Sequence, residues 1–268
     1  VVVSALGGVT DRLLQAMEQA AHSDKAYKQV ITELEERHLE VIRGFIPPSK
    51  QSSLISFVKV ELNHLETILD GIFMLEEVTP RAADKVASFG ETLSSKLIEA
   101  AFIENKLDVR RIDGRELIET SIQNSRQIIN WTKTAENVTR LYSASKAKIT
   151  LVPGFVARNE SWENTTLGRG GSDFTAAILA HVLDAPSLEI WTDVSGMYTA
   201  NPKIVAQATP IPHLSYLEAM ELSHFGAKVI YPPTLQPLVE KNIPVYIKNT
   251  FAPDDAGTLV NGGENRQN

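Results

Sequence analysis

"TTLGRGGSDFTAAILA", Thr165–Ala180, sets three glycines, one arginine and a Ser-Asp pair between Leu167 and Asp173, then runs into an apolar segment. A glycine tip lets backbone amides approach a ligand closely, because no Cβ intervenes and positive φ carries little penalty. Ser172 and Asp173 are residue types that begin helices, and Phe174 to Leu183 is almost entirely apolar or alanine, as a buried helix would be. The positive end of that helix would face the loop and favour a phosphate or carboxylate there. Arg169 adds a planar fork of donors that fits a carboxylate bidentately. The plain alternative is a glycine turn ahead of a core helix. Neither of two familiar phosphate loops is present. The pattern of glycine, four residues and Gly-Lys-Ser/Thr occurs nowhere, and Asp173 stands where the dinucleotide fingerprint needs its third glycine.

At 268 residues, with 43% apolar and 22% charged positions, the chain can build one large domain or two modest ones. A net charge of −7 argues against a nucleic-acid platform, which normally shows a basic face. The absence of cysteine excludes disulfides and thiolate zinc sites and fits a cytoplasmic protein. No stretch is long and apolar enough to span a bilayer, and no charged-then-apolar leader is visible, so no membrane partner is expected.

Outward from the glycine loop, the early third is mostly helical, with apolar residues at helical spacing in Asp11–His22, roughly Asp24–Phe45 and Ser52–Leu75. Pro47 and Pro48 interrupt it, and Pro80 starts a further helix through Ala101. Its charged positions read as a solvated face. From Val109 short strands, "DVRRID", "KITLVPGFV", "LEIWTDV" and "PVYIKNT", alternate with helical stretches at Asn137–Ala147, Asp173–Leu183, Tyr216–Phe225 and Pro233–Lys241. That alternation implies an α/β fold, a three-layer sandwich with a mostly parallel central sheet behind a helix-rich N-terminal part. Ligands in such sheets bind where strands end in loops, and "VVVSALGGVTD", "LVPGFVARN" and "IWTDVSGMYTANPK" are of that kind. After Val260 the polar "NGGENRQN", 261–268, reads as a tail or the start of a linker.

Together, "VVSALGGVTD", "SFGETLSSKL", "GFVARNESWENTTLGRGGSDFTAAILA", "WTDVSGMYTANPK", "LSYLEAMELSHFGAKVIYPPTL" and "IPVYIKNTFAPDDAGTLV" resemble the aspartate kinases of the amino-acid kinase family, from the first residue to about Val260. The resemblance implies a catalytic domain over 1–260, with an amino-acid-binding lobe to about residue 150 and a nucleotide-binding lobe over 151–260. It further implies transfer of the γ-phosphoryl group of ATP, with Mg2+, to the side-chain carboxylate of L-aspartate. The full-length form would be a homo-oligomer. Arg169 matches the clamp on the substrate α-carboxylate, against a surface arginine as the plain reading. Glu91 matches the partner of the substrate ammonium, against a helix-surface glutamate. Thr10 matches a hydroxyl near the reacting carboxylate, against a helix cap before Asp11. Gly170, Gly171 and Ser172 would line the substrate. Asp173 and Lys228 take catalytic roles, Asp173 by orienting cations, although it could equally be a cap. Thr192, Asp193, Tyr198, Lys203, Lys228 and Val229 match the nucleotide side, and Lys203 stands where relatives often carry arginine. Magnesium would be held by ATP oxygens and water, so no protein ligand is assigned to it. Family members begin with a Lys-Phe-Gly-Gly-Thr-Ser loop upstream of the first strand here, so the chain as given is expected to be weakly active or inactive alone. Two alternatives stay open: a non-catalytic binding relative, and a glutamate 5-kinase or acetylglutamate kinase type.

Overall fold

The computed structural model describes residues 1–123, 126–202, 204–224 and 230–263. The chain divides into two compact units, Val1–Leu167 and Gly168–Asn268. The sequence reading changes lobe near residue 150, whereas the units part after Leu167, because strands between Ile149 and Thr166 pair with earlier strands of the first unit.

The first unit opens with strand β1 (Val2–Val3) and continues through helices α1 (Val9–Ala21), α2 (Tyr27–Phe45), α3 (Gln51–Leu75), α4 (Pro80–Ala87) and α5 (Phe89–Glu104). In α3 the buried residues Leu54, Val58, Leu62, Leu65, Leu69 and Ile72 recur every three or four positions, so one stripe of the helix faces the core. Removing each such side chain from water contributes about 2 kcal/mol. Pro47 and Pro48 end α2 as expected and lead into a short 3-10 turn before α3. Pro80 starts α4, whose cap is Thr79, accepting from the Ala82 amide at 3.2 Å. The helix anticipated from Pro80 to Ala101 is two helices parted at Ser88. The Ser88 hydroxyl donates back to the Lys85 carbonyl at 2.7 Å, a local bond that competes with the helical ladder.

The rest of this unit holds β2 (Val109–Arg111), α6 (Gly114–Leu117), β3 (Glu119–Gln123), β4 (Arg126–Ile129), α7 (Trp131–Ser143), β5 (Ile149–Pro153), β6 (Val156–Asn159) and β7 (Asn164–Thr166). β5 lies between β1 and β2, parallel to both. The second sheet runs β4-β3-β6-β7. "KITLVPGFV" is therefore not one strand. Phe155, at φ 66, turns the chain from β5 in one sheet to β6 in the other. The β3–β4 pair escaped the sequence reading because β3 is buried at its start, at Glu119 and Thr120, and open further on, with Ile122 79% exposed, so burial changes along the strand and leaves no inside-outside alternation to detect. Helix α7 begins earlier than Asn137, at Trp131, because the Asn130 side chain caps it by accepting from the Lys133 amide.

The second unit comprises α8 (Gly171–Val182), β8 (Leu188–Thr192), β9 (His213–Ser215), α9 (Tyr216–His224), α10 (Gln236–Lys241), β10 (Val245–Asn249) and β11 (Thr258–Asn261). Its sheet runs β8-β10-β11-β9, with β10 parallel to β8, β9 parallel to β11, and β10 and β11 antiparallel. Ile190, Met197, Leu235, Val245, Ile247 and Val260 form its core. The short strands β7, β9 and β11 were too brief to read as periodic segments. The chain is a mixed α/β protein with mostly parallel pairing and a helix-rich N-terminal part.

Register in the second sheet places Glu119 opposite Arg158. Arg158 Nη1 donates to Glu119 Oε2 at 2.8 Å, with both side chains only 9% exposed, and the guanidinium lies 3.8 Å from the centre of the Trp162 ring. Asn130 Nδ2 donates to the other Glu119 oxygen at 3.2 Å. Removing only the arginine would leave a buried carboxylate without its cation, whereas removing both charges would not. Arg158→Met should cost about 3 kcal/mol in urea unfolding, and adding Glu119→Leu should recover most of that loss.

Candidate active-site elements

Helix α8 starts at a point that only glycine can occupy. Gly170 is its N-cap, at φ 67, and a Cβ there would lie 2.4 Å from Tyr231 Cβ. Gly168 is also left-handed, at φ 70, and its carbonyl accepts from the Gly171 amide at 3.0 Å. Among the described residues no side chain caps this end, so after the Gly171 amide, which is spent on Gly168, the amides of Ser172 and Asp173 are left open, the arrangement with which helix starts can meet anions. Ser172 and Asp173 lie inside the helix, not at its cap, which settles the capping alternative for Asp173. Burial pushes the Asp173 carboxyl up to about 6.

Arg169 is exposed and makes no ion pair among the described residues. With Gly170, Asp173, His224, Tyr231 and Gln236 it borders a cavity of about 880 Å³ within the second unit. The expected grouping of Arg169, Gly170, Gly171, Ser172 and Asp173 is thus a single turn of chain with a guanidinium beside open amides.

The nucleotide-side residues begin where β8 ends. Thr192 Oγ1 donates to Asp193 Oδ1 at 3.3 Å, and the Thr192 carbonyl accepts from the Thr250 amide at 2.8 Å. Tyr198, half-buried, bridges to Pro210 further along the same loop. Lys203, Lys228 and Val229 lie outside the described residues.

In the first unit, Glu91 occupies the first turn of α5 and is only 4% exposed, so it is no helix-surface glutamate. Its Oε1 accepts from the Ala5 amide at 3.3 Å, while Oε2 has no hydrogen-bond partner among the described residues. Burial, partly offset by that amide, pushes this carboxyl from 4.5 up to about 7. Next to it, Gly90 meets Ala5 so closely that a Cβ would lie 2.7 Å from the Ala5 methyl, and Ser94 Oγ donates to the Ser4 carbonyl at 2.6 Å. The "SALGG" loop after β1 is thereby held against the start of α5. Thr10 follows the same loop. Since Gly8, at φ 80, is the N-cap of α1, Thr10 sits within the first turn and is not the cap. Ser4, Ala5, Ser94 and Tyr231 were not singled out from the sequence, because each acts through a contact distant in the chain. Among the described residues, no group of three or more His, Asp or Glu side chains is arranged to hold a metal ion.

Residues 1–249 match the family described as the amino acid kinase family. The chain belongs to that family. It is 35% identical over 271 residues to aspartokinase 1, chloroplastic, of Arabidopsis thaliana, covering 97% of this chain and 46% of that protein. It is also 35% identical over 270 residues to the bifunctional aspartokinase/homoserine dehydrogenase of Haemophilus influenzae, covering 97% of this chain and 32% of that one. Among solved structures it resembles E. coli aspartokinase III in complex with aspartate and ADP, with a TM-score of 0.90, 28% identity, and coverage of 99% of this chain and 58% of that one. The chain thus spans less than half the length of these two curated relatives. No helix among the described residues is long and apolar enough to cross a membrane.

The buried Glu91 carboxyl makes a signed prediction. A folded-state value raised from 4.5 to about 7 means that ionisation opposes folding, so the penalty grows as pH rises through that window and is complete above it. Glu91→Gln should raise stability at pH 8 by on the order of 3 kcal/mol and leave it unchanged near pH 4, read from denaturant midpoints across pH.

Proposed function

We propose that the chain is the kinase portion of an aspartate kinase, which transfers the γ-phosphoryl group of ATP to the side-chain carboxylate of L-aspartate and yields 4-phospho-L-aspartate and ADP. The observation that carries this reading is the start of α8, where uncapped amides and the exposed Arg169 fork adjoin one cavity. Arg169 would hold the α-carboxylate of aspartate bidentately. Glu91 would hold the ammonium, and its Oε2, without a hydrogen-bond partner among the described residues, supports that role, since a buried acceptor gains most from a cationic donor. Thr10 would sit beside the reacting carboxylate.

In this reaction a carboxylate oxygen attacks the γ-phosphorus while the bond to the β,γ-bridging oxygen breaks. The acceptor is already ionised at neutral pH, so no general base is required. The protein's work is alignment of two anions and neutralisation of the charge between them. The amides of Ser172 and Asp173 would face the transferring group, with Gly170 and Gly171 lining the approach, and the Asp173 carboxylate would orient nearby cations. Thr192, Asp193 and Tyr198 would receive the nucleotide, with Lys203, Lys228 and Val229 assigned by the sequence resemblance. Mg2+ would screen the phosphate oxygens, held by ATP and water with no dedicated protein cage. The similarity to aspartokinase III in complex with aspartate and ADP supports the choice of both substrates. The proposal carries with it the homo-oligomeric full-length form and the cytoplasmic location expected from the sequence.

The test is hydroxylamine trapping of the acyl phosphate from the full-length enzyme with ATP and Mg2+, offering aspartate, glutamate and N-acetylglutamate separately. Trapped product with aspartate alone is expected; preference for either of the others would overturn the substrate. Arg169→Ala should raise the KM for aspartate by at least about tenfold with little change in the KM for ATP. An equal rise in both would remove Arg169 from the substrate clamp.

A further inference from the structure

The loop between β8 and β9, residues 193–212, carries Tyr198 and begins with Asp193. One buried hydroxyl ties its outgoing arm to its returning arm. Thr258, the first residue of β11, is 1% exposed. Its Oγ1 accepts from the Met197 amide at 2.8 Å and donates to the Ile211 carbonyl at 2.6 Å. The Ile211 amide donates in turn to the Met197 carbonyl at 2.8 Å. This three-bond clasp needs Gly196 at φ 112, because a Cβ there would lie 2.4 Å from the Thr258 hydroxyl.

A second tether lies closer to β8. Asn249 Nδ2, at the end of β10, donates to Ser195 Oγ at 2.9 Å, and Ser195 Oγ donates to the Asp255 carboxylate. Beyond the clasp the arms stay paired, with the Thr199 amide donating to the Thr209 carbonyl at 3.0 Å and the Thr209 amide to Thr199 Oγ1 at 3.1 Å. Tyr198 therefore sits one residue past Met197, on a segment fixed from both sides.

We propose that Thr258 is a positioning residue for nucleotide binding, acting through the Met197 amide and the Ile211 carbonyl to hold Tyr198 and the chain after Asp193 in their binding-competent course. The inference rests on the assignment of Asp193 and Tyr198 to the nucleotide. A valine at 258 would keep nearly the same shape in the core but could neither accept from Met197 nor donate to Ile211. The loop would then lose its clasp while the sheet kept its packing.

The experiment titrates Mg-ADP into the chain by calorimetry for the wild type, Thr258→Val, Thr258→Ser and Ser195→Ala, alongside aspartate saturation curves for the same variants in the full-length enzyme. Thr258→Val should weaken ADP binding roughly tenfold while half-saturation by aspartate stays unchanged, and Thr258→Ser should restore ADP affinity to within about twofold. Unchanged ADP affinity in a folded Thr258→Val protein would overturn the proposal. So would an equal loss for ADP and aspartate, which would mark Thr258 as merely structural. If Thr258→Val does not fold, Ser195→Ala decides through the other tether, with weakened ADP binding expected and unaltered binding overturning the idea. A wild-type chain that binds no Mg-ADP would refute the nucleotide assignment itself, a result distinct from failure of the clasp.

Discussion

The contact of the Gly170 backbone with Tyr231 governs how this protein can meet an anion. With no Cβ at 170, the chain enters α8 from a left-handed residue pressed against an aromatic ring, and the helix begins without a side-chain cap. A side-chain cap would have taken up the Ser172 or Asp173 amide; among the described residues none does, although the Gly171 amide is spent on the Gly168 carbonyl. Any larger residue at 170 would drive the loop off Tyr231 and turn those amides away. The same physical device recurs at the start of α5, where Gly90 lets Ala5 approach closely enough for its amide to reach Glu91. In both places a missing side chain lets another part of the chain approach a helix start closely.

Burial of ionisable groups is the second theme, and it is handled in two ways. Glu119 and Arg158 are buried as a pair, with further bonds from Asn130 and a stacking tryptophan, so each charge has its complement within the fold. Glu91 is buried with one oxygen lacking a partner among the described residues, and its carboxyl is pushed up to about 7. A group that opposes folding in this way is expected where a ligand supplies the missing partner. The contrast separates a carboxylate satisfied within the fold from one left short of partners more sharply than sequence position could, because Glu119 and Glu91 look alike as isolated letters.

Much of the scaffold was legible because local rules and tertiary packing agree. The α3 stripe from Leu54 to Ile72 needs only helical periodicity, and the turn at Pro47 and Pro48 needs only the geometry of proline. Agreement failed where a back-bonding side chain, a change of burial along a strand or an uncommon backbone conformation overrules the simple periodic pattern. Helix α5 is parted from α4 at Ser88, whose hydroxyl bonds back to Lys85, and β3 shows no alternation because its burial changes along the strand, from Thr120 at 1% exposed to Ile122 at 79%. The split of "KITLVPGFV" hinges on Phe155 adopting a left-handed backbone that no propensity favours.

The glycine loop, the apolar stripe of α3 and the proline break after α2 are determined by the sequence alone, since short-range sterics and helical periodicity act within a few positions. The folded structure alone decides which of those groups are starved of partners and which are clasped. That Glu91 has an oxygen unsatisfied among the described residues, that Tyr231 lies under Gly170, and that Thr258 closes the loop after β8 are facts of contacts between residues tens of positions apart. Burial and hydrogen-bond satisfaction are properties of three-dimensional neighbourhoods, and no local pattern in a linear chain encodes them.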